Sequence, residues 1–243
     1  MKYRFEYTIN YSDVDASRHL RLTDLERYIL ETAGLNAERL GLGTQRLLEQ
    51  YNAAWVLTRM SLTMDYLPTY NETLVIETWI EGNAHMLSIR NFRLYIKKDD
   101  EELPIGQCST IWTLINLTSR QVDIAAFADP AWASCIDGER LSLPRAPRLG
   151  LIDEPTGRMP HTIRYSDLDF NGHCNSVKYL QFMLNACDKL TGLFPVRLDM
   201  NYAKEVHKSE QTEVRFIEQD DRVQYCLLTE QGEISCTALI SKL

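Results

Sequence analysis

The sequence predicts an α+β protein built from two tandem units, each an antiparallel β-sheet wrapped around a long α-helix. The first observation is a repeat: the phrase Tyr-Ser-Asp-x-Asp-x-x-x-His stands at 11–19 and again at 165–173, an offset of 173 − 19 = 154 residues. The second is that an amphipathic helical pattern follows each phrase, and the third is that strand-like runs follow each helix. The chain therefore reads as two copies of one structural unit.

Size and composition set the class of protein. A chain of 243 residues with 44% hydrophobic residues can bury a substantial core, as one large domain or as two small ones. It has no apolar run long enough to cross a membrane and no signal-peptide pattern at its start, so we expect a cytoplasmic protein without membrane insertion. The net charge of −8 argues against nucleic-acid binding, which needs a basic surface.

The spacing of cysteines and histidines argues against metal sites. The six cysteines form no Cys-x-x-Cys pair and lie in apolar stretches, which indicates free thiols. The five histidines show no His-Glu-x-x-His pattern and no close His/Cys spacing. We therefore expect no bound metal and no cofactor.

The helix after the second phrase has the clearer pattern. Its apolar residues recur at steps of three and four, as one buried helix face requires: Val177, Leu180, Met183, Leu184, Cys187 and Leu190. Asn175 or Ser176 can cap its start, and Gly192 can end it in the left-handed conformation. These signals predict a helix of about four turns.

The first helix carries matching signals. Thr23 and Glu26 have the spacing of a capping box, and Gly34 is placed to stop the helix. Its apolar face is formed by Leu22, Leu25, Ile29 and Ala33. The predicted length is again about four turns.

Strand-like alternation follows each helix. The runs are Trp55 to Met64, Thr73 to Ile80, His85 to Ile96 and Ile105 to Asn116 in the first half, and 223–227 and 234–240 in the second. An amphipathic helix must bury its apolar face, and an antiparallel sheet with one apolar face can cover it. This is the hotdog arrangement, and two copies side by side also hide a sheet edge. The predicted fold is therefore a double hotdog.

The chain divides at a proline-rich stretch. We expect one unit over 1–128, a connector over 129–160, and a second unit over 161–243. Tyr66 pairs by pattern with Tyr202, an offset of 202 − 66 = 136, so the first half carries 154 − 136 = 18 additional residues. These fall near 35–53, and two interpretations stay open: a lid over an apolar tunnel, or a short extra helix packed on the surface.

The second phrase offers groups suited to catalysis. Asp169, Asn171 and His173 place a carboxylate, an amide and an imidazole at alternating positions directly before the helix. Turn and cap chemistry alone would explain the aspartate and the asparagine but not the histidine. In the first copy Ser17 replaces Asn171, which indicates one working site and one copy kept for its shape.

The same residues resemble a known motif. The run Asp169-Phe170-Asn171-Gly172-His173-Cys174-Asn175-Ser176-Val177-Lys178-Tyr179 is similar to the Asp-x-Asn-x-His-x-Asn-Asn-x-Lys-Tyr motif of the plant and bacterial acyl-acyl-carrier-protein thioesterases. Further blocks match that family in the same order and similar spacing, at 55–60, 66–70, 77–79 and 109–112. The resemblance covers most of the chain and is weakest over 125–160 and at the last strands.

That resemblance implies a tandem hotdog hydrolase that releases fatty acids from acyl carrier protein and so ends fatty-acid synthesis. The family's active-site triplet falls on Asp169, Asn171 and His173, and its catalytic glutamate falls on Glu205. Val206 stands where plant members often carry a cysteine, which rules out a Cys-His mechanism at that position. The implied partner is acyl carrier protein, and a homodimer is one open oligomeric state.

Thioester chemistry fits these four groups. A thiol is a good leaving group, so a positioned water with charge stabilisation is sufficient and no serine nucleophile is required. Glu205 can act as general base and His173 as proton carrier, while Asn171 can polarise the carbonyl or position the water. Two roles stay open for Asp169: orientation of Asn171 or His173, and direct attack on the thioester.

Two groups beside the triplet complete this expectation. Backbone N–H groups at the helix start, near Cys174 and Asn175, can cradle the developing oxyanion. The Cys174 thiol is expected to be a small packing residue rather than a nucleophile.

The first copy is expected to be non-catalytic. Ser17 and Thr69 stand opposite Asn171 and Glu205, so two of the four functional groups are missing, and we assign this half the acyl-chain pocket. Docking of an acidic carrier protein needs basic residues near the tunnel mouth, and the candidates are Lys178, Lys204, Lys208, Arg197, Arg145 and Arg148. Two alternatives remain: hydrolysis of acyl-coenzyme A, and binding of acyl thioesters without turnover, as a sensor.

Overall fold

The computed structural model describes residues 1–84, 86–99, 101–123, 127–128, 130–169 and 172–243. The α-helices in this part of the chain are α1 (Leu22–Arg39), α2 (Thr44–Tyr51) and α3 (Ser176–Ala186). The strands are β1 (Tyr3–Thr8), β2 (Ala53–Met64), β3 (Thr73–Ala84), β4 (Leu87–Lys98), β5 (Glu101–Asn116), β6 (Gly157–Thr162), β7 (Val196–Tyr202), β8 (Gln211–Glu218), β9 (Arg222–Leu228) and β10 (Ile234–Lys242). These strands form one antiparallel sheet, which confirms the expected combination of antiparallel sheet and long helices.

The strand order shows an internal symmetry. Along the sheet it runs β1-β3-β4-β5-β2-β7-β10-β9-β8-β6. If five is added to each strand number, the order of the first half, β1-β3-β4-β5-β2, becomes β6-β8-β9-β10-β7. This is the order of the second half read from the opposite edge, so the two halves have the same topology. β2 and β7 pair at the centre, and this pairing hides the edge that each half would otherwise expose.

The starts of the elements reproduce the offset of 154 found in the sequence. β1 begins at Tyr3 and β6 at Gly157 (157 − 3 = 154), while α1 begins at Leu22 and α3 at Ser176 (176 − 22 = 154). The repeat in the sequence is thus a structural repeat up to the start of each helix. β6 consequently begins inside the stretch 129–160 that the sequence predicts as connector.

Beyond the helices the offset between the halves is 138. The Leu20 N–H donates to the Pro68 carbonyl (2.8 Å), and the Cys174 N–H donates to the Val206 carbonyl (2.9 Å). Since Cys174 is the repeat equivalent of Leu20 (174 − 20 = 154), Pro68 and Val206 are structural equivalents, and 206 − 68 = 138.

A second pair of backbone hydrogen bonds gives the same offset. The Asp65 N–H donates to the Ile105 carbonyl, as the Ala203 N–H donates to the Ser235 carbonyl, both at 2.8 Å, and 203 − 65 = 138. The offset of 136, which equated two tyrosines, is therefore wrong by two positions, because backbone pairing and not side-chain identity defines equivalence. The additional length of the first half is 154 − 138 = 16.

The first helix is longer than predicted. α1 continues through Gly34 to Arg39, because burial of residues such as Ala37 in its last turns offsets the cost of an internal glycine, about 1 kcal/mol. Its N-cap is Arg21, without a side-chain cap hydrogen bond. The predicted capping box is therefore wrong, and Glu26 is instead fully buried.

The second helix is shorter than predicted. α3 starts after Asn175, whose side chain accepts the Val177 N–H (3.1 Å), so the predicted cap is confirmed. It ends at Ala186, because Cys187 turns to an extended conformation (φ −155°) and its carbonyl accepts the Tyr225 hydroxyl (2.7 Å). The predicted stop at residue 192 is therefore wrong by about one and a half turns.

The two long helices pack on one face of the sheet and share a core with strands of both halves. Their fully buried positions include Leu25, Ile29, Leu180 and Met183. The additional residues of the first half form the end of α1 and the short helix α2, which packs on the sheet through Leu47. The short extra helix is thus present, and it also covers the cavity described below.

Candidate active site

The turn that carries the predicted triplet is closed by Asp169. The Asp169 N–H donates to the His173 carbonyl (2.8 Å), and the Asp169 carboxylate accepts the His173 N–H (3.1 Å). Gly172 has φ +79°, a left-handed conformation that glycine adopts without a steric penalty. The turn therefore fixes the backbone of His173 in front of α3. Asn171, the third predicted residue, lies outside the described residues.

His173 faces a carboxylate from a distant part of the chain, and this carboxylate in turn binds a guanidinium. Its Nδ1 lies 3.5 Å from Glu205 Oε1, and the other oxygen of Glu205 accepts a hydrogen bond from Arg120. The side chains of His173 and Glu205 are 29% and 34% exposed, so both are open to an incoming substrate. The structure thus brings together three of the predicted site residues, Asp169, His173 and Glu205.

Arg120 was missed by sequence reasoning. It lies in the turn after β5, 85 residues before Glu205 along the chain, and no motif marks it. A guanidinium on one carboxylate oxygen holds Glu205 in place and leaves its other oxygen toward His173. The arrangement can orient water and pass a proton between carboxylate and imidazole.

The backbone at the helix start differs from expectation. The Cys174 N–H donates to the Val206 carbonyl (2.9 Å), and the Asn175 N–H donates to the Asp167 carbonyl (2.8 Å). Both groups are already hydrogen-bonded, so the expected oxyanion cradle of these two N–H groups is wrong. Ser176, the first residue of α3, lines the cavity, and its N–H donates to no residue in the described part of the chain.

The Cys174 thiol is a packing residue, as expected. It is 5% exposed, and burial raises its pKa to about 12, so the thiolate needed for nucleophilic attack does not form near neutral pH.

A cavity of about 640 Å³ adjoins these residues. Of the 29 described residues that line it, 19 belong to the first half of the chain, on α1, α2 and β2 to β5, and 10 to the second half. Its exposed end is lined by Leu48, Leu117, Arg120, Lys204 and Glu205, and its buried end by Ala37, Leu42, Ile80, Ser88 and Arg90. The second half therefore supplies the polar end of a cavity that the first half mostly encloses.

A buried carboxyl group lies where the two halves meet. The Tyr202 hydroxyl, on a residue that lines the cavity, donates to Glu26 Oε1 (2.6 Å). Burial raises the pKa of Glu26 to about 8, so this carboxyl is protonated at neutral pH. Its equivalent in the second half is Leu180 (26 + 154), which shows that the position belongs to the core.

The basic residues proposed for docking have different surroundings. Arg197 donates to the Asp199 carboxylate (2.7 Å) and to the Pro144 carbonyl (2.7 Å), so its guanidinium is engaged within the protein. Lys204 lines the exposed end of the cavity and pairs with Glu233.

The first copy keeps the turn but not the site. Asp15 Oδ1 accepts the Ser17 hydroxyl (2.6 Å), and that hydroxyl lies 3.0 Å from His19 Nδ1. With the offset of 138, the residue opposite Glu205 is Leu67 and not Thr69, and Leu67 is 3% exposed. This half therefore lacks the carboxylate beside its histidine.

Two features are absent from the described residues. None of their helices combines the length and apolar character needed to cross a membrane. No group of three or more potential metal ligands is present among them.

Comparisons with known proteins follow the same division of the chain. Residues 1–126 match the acyl-ACP thioesterase N-terminal domain family, and residues 153–241 match the acyl-ACP thioesterase C-terminal domain family. The chain is similar to the chloroplastic palmitoyl-acyl carrier protein thioesterase of Arabidopsis thaliana, at 24% identity over 197 residues (76% of this chain, 47% of that protein). It is also similar to the chloroplastic oleoyl-acyl carrier protein thioesterase of Coriandrum sativum, at 21% over 203 residues (78% and 54%). The chain spans about half the length of these relatives.

Solved structures show the same fold. An acyl-ACP thioesterase from Bacteroides thetaiotaomicron superposes with a TM-score of 0.87 at 23% identity, covering 99% of this chain and 97% of that one. The 12:0-ACP thioesterase from Umbellularia californica superposes with a TM-score of 0.86 at 18% identity, covering 99% and 96%. Because the two domain families together match most of its length, the chain belongs to the acyl-ACP thioesterase family.

Proposed function

We propose that this protein hydrolyses fatty acyl-acyl carrier protein to a free fatty acid and acyl carrier protein, the reaction that ends fatty-acid synthesis. The observation that carries the proposal is the His173–Glu205 pair at the exposed end of a largely apolar cavity. A carboxylate and an imidazole 3.5 Å apart can activate water, and the cavity offers an acyl chain an apolar environment.

The two halves are two hotdog units in tandem with different tasks. The unit over 1–128 houses the acyl chain. The second unit, expected over 161–243 and extended by β6 to Gly157, carries the catalytic groups, and the rest of 129–160 connects the two. The matched topologies and the offsets of 154 and 138 support two copies of one unit. The lining of the cavity, 19 described residues from the first half and 10 from the second, supports the division of tasks.

The reaction requires one water and three proton transfers. Glu205 accepts a proton from water as the water oxygen attacks the thioester carbonyl carbon, and Arg120 holds the carboxylate in position. The carbon–sulfur bond then breaks, and the departing thiolate takes a proton from His173, which Glu205 in turn reprotonates. The products are a carboxylic acid and a thiol.

The remaining site residues stabilise the oxyanion and orient the reacting groups. The Ser176 N–H at the start of α3 donates to the developing oxyanion, aided by the positive end of the helix dipole. Asn171 adds a side-chain donor to the carbonyl or to the water. Asp169 accepts the backbone N–H of His173 and so positions that residue in the turn, which supports the positioning role over direct attack.

Carrier-protein docking is assigned to the exposed end of the cavity. Arg120 and Lys204 are the described basic residues that line this end, and an acidic carrier protein would deliver its phosphopantetheine arm beside them. Such complementarity acts mainly on the association rate and weakens with salt.

The test compares carriers and variants. Purified protein is incubated with the same acyl chain on acyl carrier protein and on coenzyme A, and release of free thiol is recorded for wild type, Glu205→Gln and the control Glu210→Gln, a residue outside the cavity. We expect faster release from acyl carrier protein, and a loss of about 10²- to 10⁴-fold in Glu205→Gln alone. Equal release by both variants refutes the site. Faster release from coenzyme A indicates an acyl-coenzyme A thioesterase, and binding without release indicates a sensor.

A further inference from the structure

One charged side chain stands in an otherwise apolar or small row of β4. The residues of this strand that face the helices are Ser88, Arg90, Phe92, Leu94 and Ile96. Arg90 is 6% exposed and lines the buried end of the cavity. Its neighbours in the row toward the core are fully buried hydrophobic residues, so an arginine is not what packing would select here.

The guanidinium of Arg90 has no carboxylate partner in the described part of the chain. Its Nη1 donates to Asn36 Oδ1 on α1 and lies 3.4 Å from the Thr78 hydroxyl on β3. Burial lowers the pKa of Arg90 to about 10, which leaves the group charged at neutral pH. The Nε and Nη2 atoms donate to none of the described residues. Their N–H groups, held in the plane of the guanidinium, therefore remain for a ligand.

A second buried donor lies next to this fork. The Nδ2 of Asn36 is buried and donates to nothing in the described chain, because its oxygen is turned to Arg90. Ser88, two residues before Arg90, adds a hydroxyl to the same end of the cavity. A buried donor without an acceptor is costly, so the Asn36 amide, beside a guanidinium with unused donors that lines the cavity, indicates a bound acceptor.

The cluster is well separated from the catalytic end. β4 lies three strands away from β7, the strand that leads to Glu205, which corresponds to about 14 Å at the usual strand spacing. A chain that enters beside Glu205 and extends along the cavity would bring its far end to Arg90.

We propose that the cavity accepts acyl chains whose far end carries an oxygen acceptor, with Arg90 as the residue that recognises it. A terminal carboxylate fits the guanidinium fork best, and a terminal hydroxyl or carbonyl oxygen presents the same acceptor chemistry without charge. The inference rests on the proposed thioester hydrolysis and specifies its substrate class. Apolar residues along the middle of the cavity, such as Leu57 and Trp112, still contact the methylene chain.

The test measures a ratio of rates. Acyl carrier protein is loaded with chains of one length that end in a methyl, a hydroxyl or a carboxyl group, and kcat/KM is measured for wild type, Arg90→Met and the control Arg93→Met. Arg93 is on the same strand but outside the cavity. In wild type we expect the oxygen-bearing chains to be preferred. In Arg90→Met their kcat/KM relative to the methyl chain should fall at least about tenfold, and in Arg93→Met it should not change.

Other outcomes separate the two proposals. In one outcome, wild type hydrolyses the methyl-ended chain but shows no preference for oxygen-bearing chains, or shows a preference that persists in Arg90→Met. Either result overturns the inference about Arg90 and leaves the proposed hydrolysis intact. If Arg90→Met merely accepts longer methyl-ended chains, Arg90 is an end stop and the inference is also overturned. If wild type hydrolyses none of the three, the proposed function fails. Should Arg90→Met not fold, calorimetry of wild type with free fatty acids that do or do not carry the terminal oxygen tests the same preference, and equal affinities overturn it.

Discussion

The turns that join Asp15 to His19 and Asp169 to His173 share a hydrogen bond and a left-handed residue but have different surroundings. In both, the aspartate N–H donates to the histidine carbonyl, at 2.9 Å and 2.8 Å, and the fourth residue has a left-handed conformation, φ +68° at Arg18 and +79° at Gly172. In the first turn a serine hydroxyl lies between aspartate and histidine. In the second, the histidine faces Glu205.

This comparison separates structure from chemistry. The aspartate and the left-handed residue build the turn in both copies, so they are features of the fold. What distinguishes the second copy is what converges on it: Glu205 from the segment after β7, Arg120 from the turn after β5, and a cavity enclosed mainly by the first half. A histidine placed on this turn is therefore not sufficient to form a catalytic site.

The largest effect on stability is expected from giving the first copy the second copy's carboxylate. Leu67→Glu would place a charge without a partner at a position that is 3% exposed, and we expect a loss of about 3–5 kcal/mol in unfolding free energy, with no gain in hydrolysis. Leu67→Met is the matched control and should cost less than about 1.5 kcal/mol. Denaturant unfolding of both variants measures this free energy. A Leu67→Glu variant as stable as wild type would show that the loops after β2 and β7 are interchangeable.

The buried Glu26 provides the next test, because its equivalent in the second half is Leu180. The pKa of Glu26 is raised by burial from an ordinary 4.5 to about 8, so the folded state retains a proton that the unfolded chain loses above pH 4.5. Wild type should therefore lose stability as pH rises from 4.5 to about 8, and Glu26→Gln should not show this loss. At pH 9 we expect Glu26→Gln to be more stable than wild type by about 4 to 5 kcal/mol.

Unfolding curves at a series of pH values measure that difference. Glu31→Gln, an exposed position on the same helix, is the control and should follow the wild-type pH dependence. A constant difference between wild type and Glu26→Gln from pH 5 to pH 9 would show that the carboxyl is ionised in the folded protein.

Much of this organisation follows from the sequence, and the exceptions have physical reasons. The repeat, the turn and the start of α3 are local features, so Asp169, His173 and the Asn175 cap follow from residue types and spacing. The role of Arg120 depends on two segments 85 residues apart meeting across the sheet, which no local pattern encodes. Arg90 places a charge among the residues of β4 that face the helices. The alternation of the strand sequence reveals this charge, but only the adjacent cavity gives it a functional interpretation.

The same reasoning explains the misplaced offset and the helix ends. The two tyrosines suggest an offset of 202 − 66 = 136, whereas the hydrogen bonds of the loops after β2 and β7 require 138. The end of α3 depends on the Tyr225 hydroxyl, which reaches Cys187 from a strand far along the chain. Such tertiary contacts override the local stop signal.

A smaller effect on activity is expected at Arg120, which pairs with Glu205, a carboxylate that has no equivalent in the first copy. Arg120→Met removes the hydrogen bond that positions Glu205 but retains the carboxylate itself, so we expect kcat/KM with acyl carrier protein to fall about tenfold, equivalent to about 1.4 kcal/mol. Lys204→Met, which alters the same end of the cavity without contacting Glu205, should act on KM and its salt dependence instead. An unchanged kcat in Arg120→Met would remove Arg120 from the catalytic arrangement.

The smallest effect is expected in the turn itself. Gly172→Ala places a side chain at φ +79°, which should cost about 1 kcal/mol in stability even though a Cβ there meets open space. Gly150→Ala also meets open space, but without a left-handed backbone, and should be neutral or slightly stabilising. Thermal unfolding distinguishes the two, and equal behaviour would indicate that the turn relaxes.

The central claim is that the second copy performs the chemistry while the first encloses the acyl chain, and paired histidine variants test it most directly. Steady-state kcat/KM for a fatty acyl-acyl carrier protein is measured with His173→Ala and with His19→Ala, its equivalent in the first copy. We expect a loss of about 10²- to 10⁴-fold for His173→Ala and less than about twofold for His19→Ala. Comparable losses in both variants, or a greater loss in His19→Ala, would contradict it.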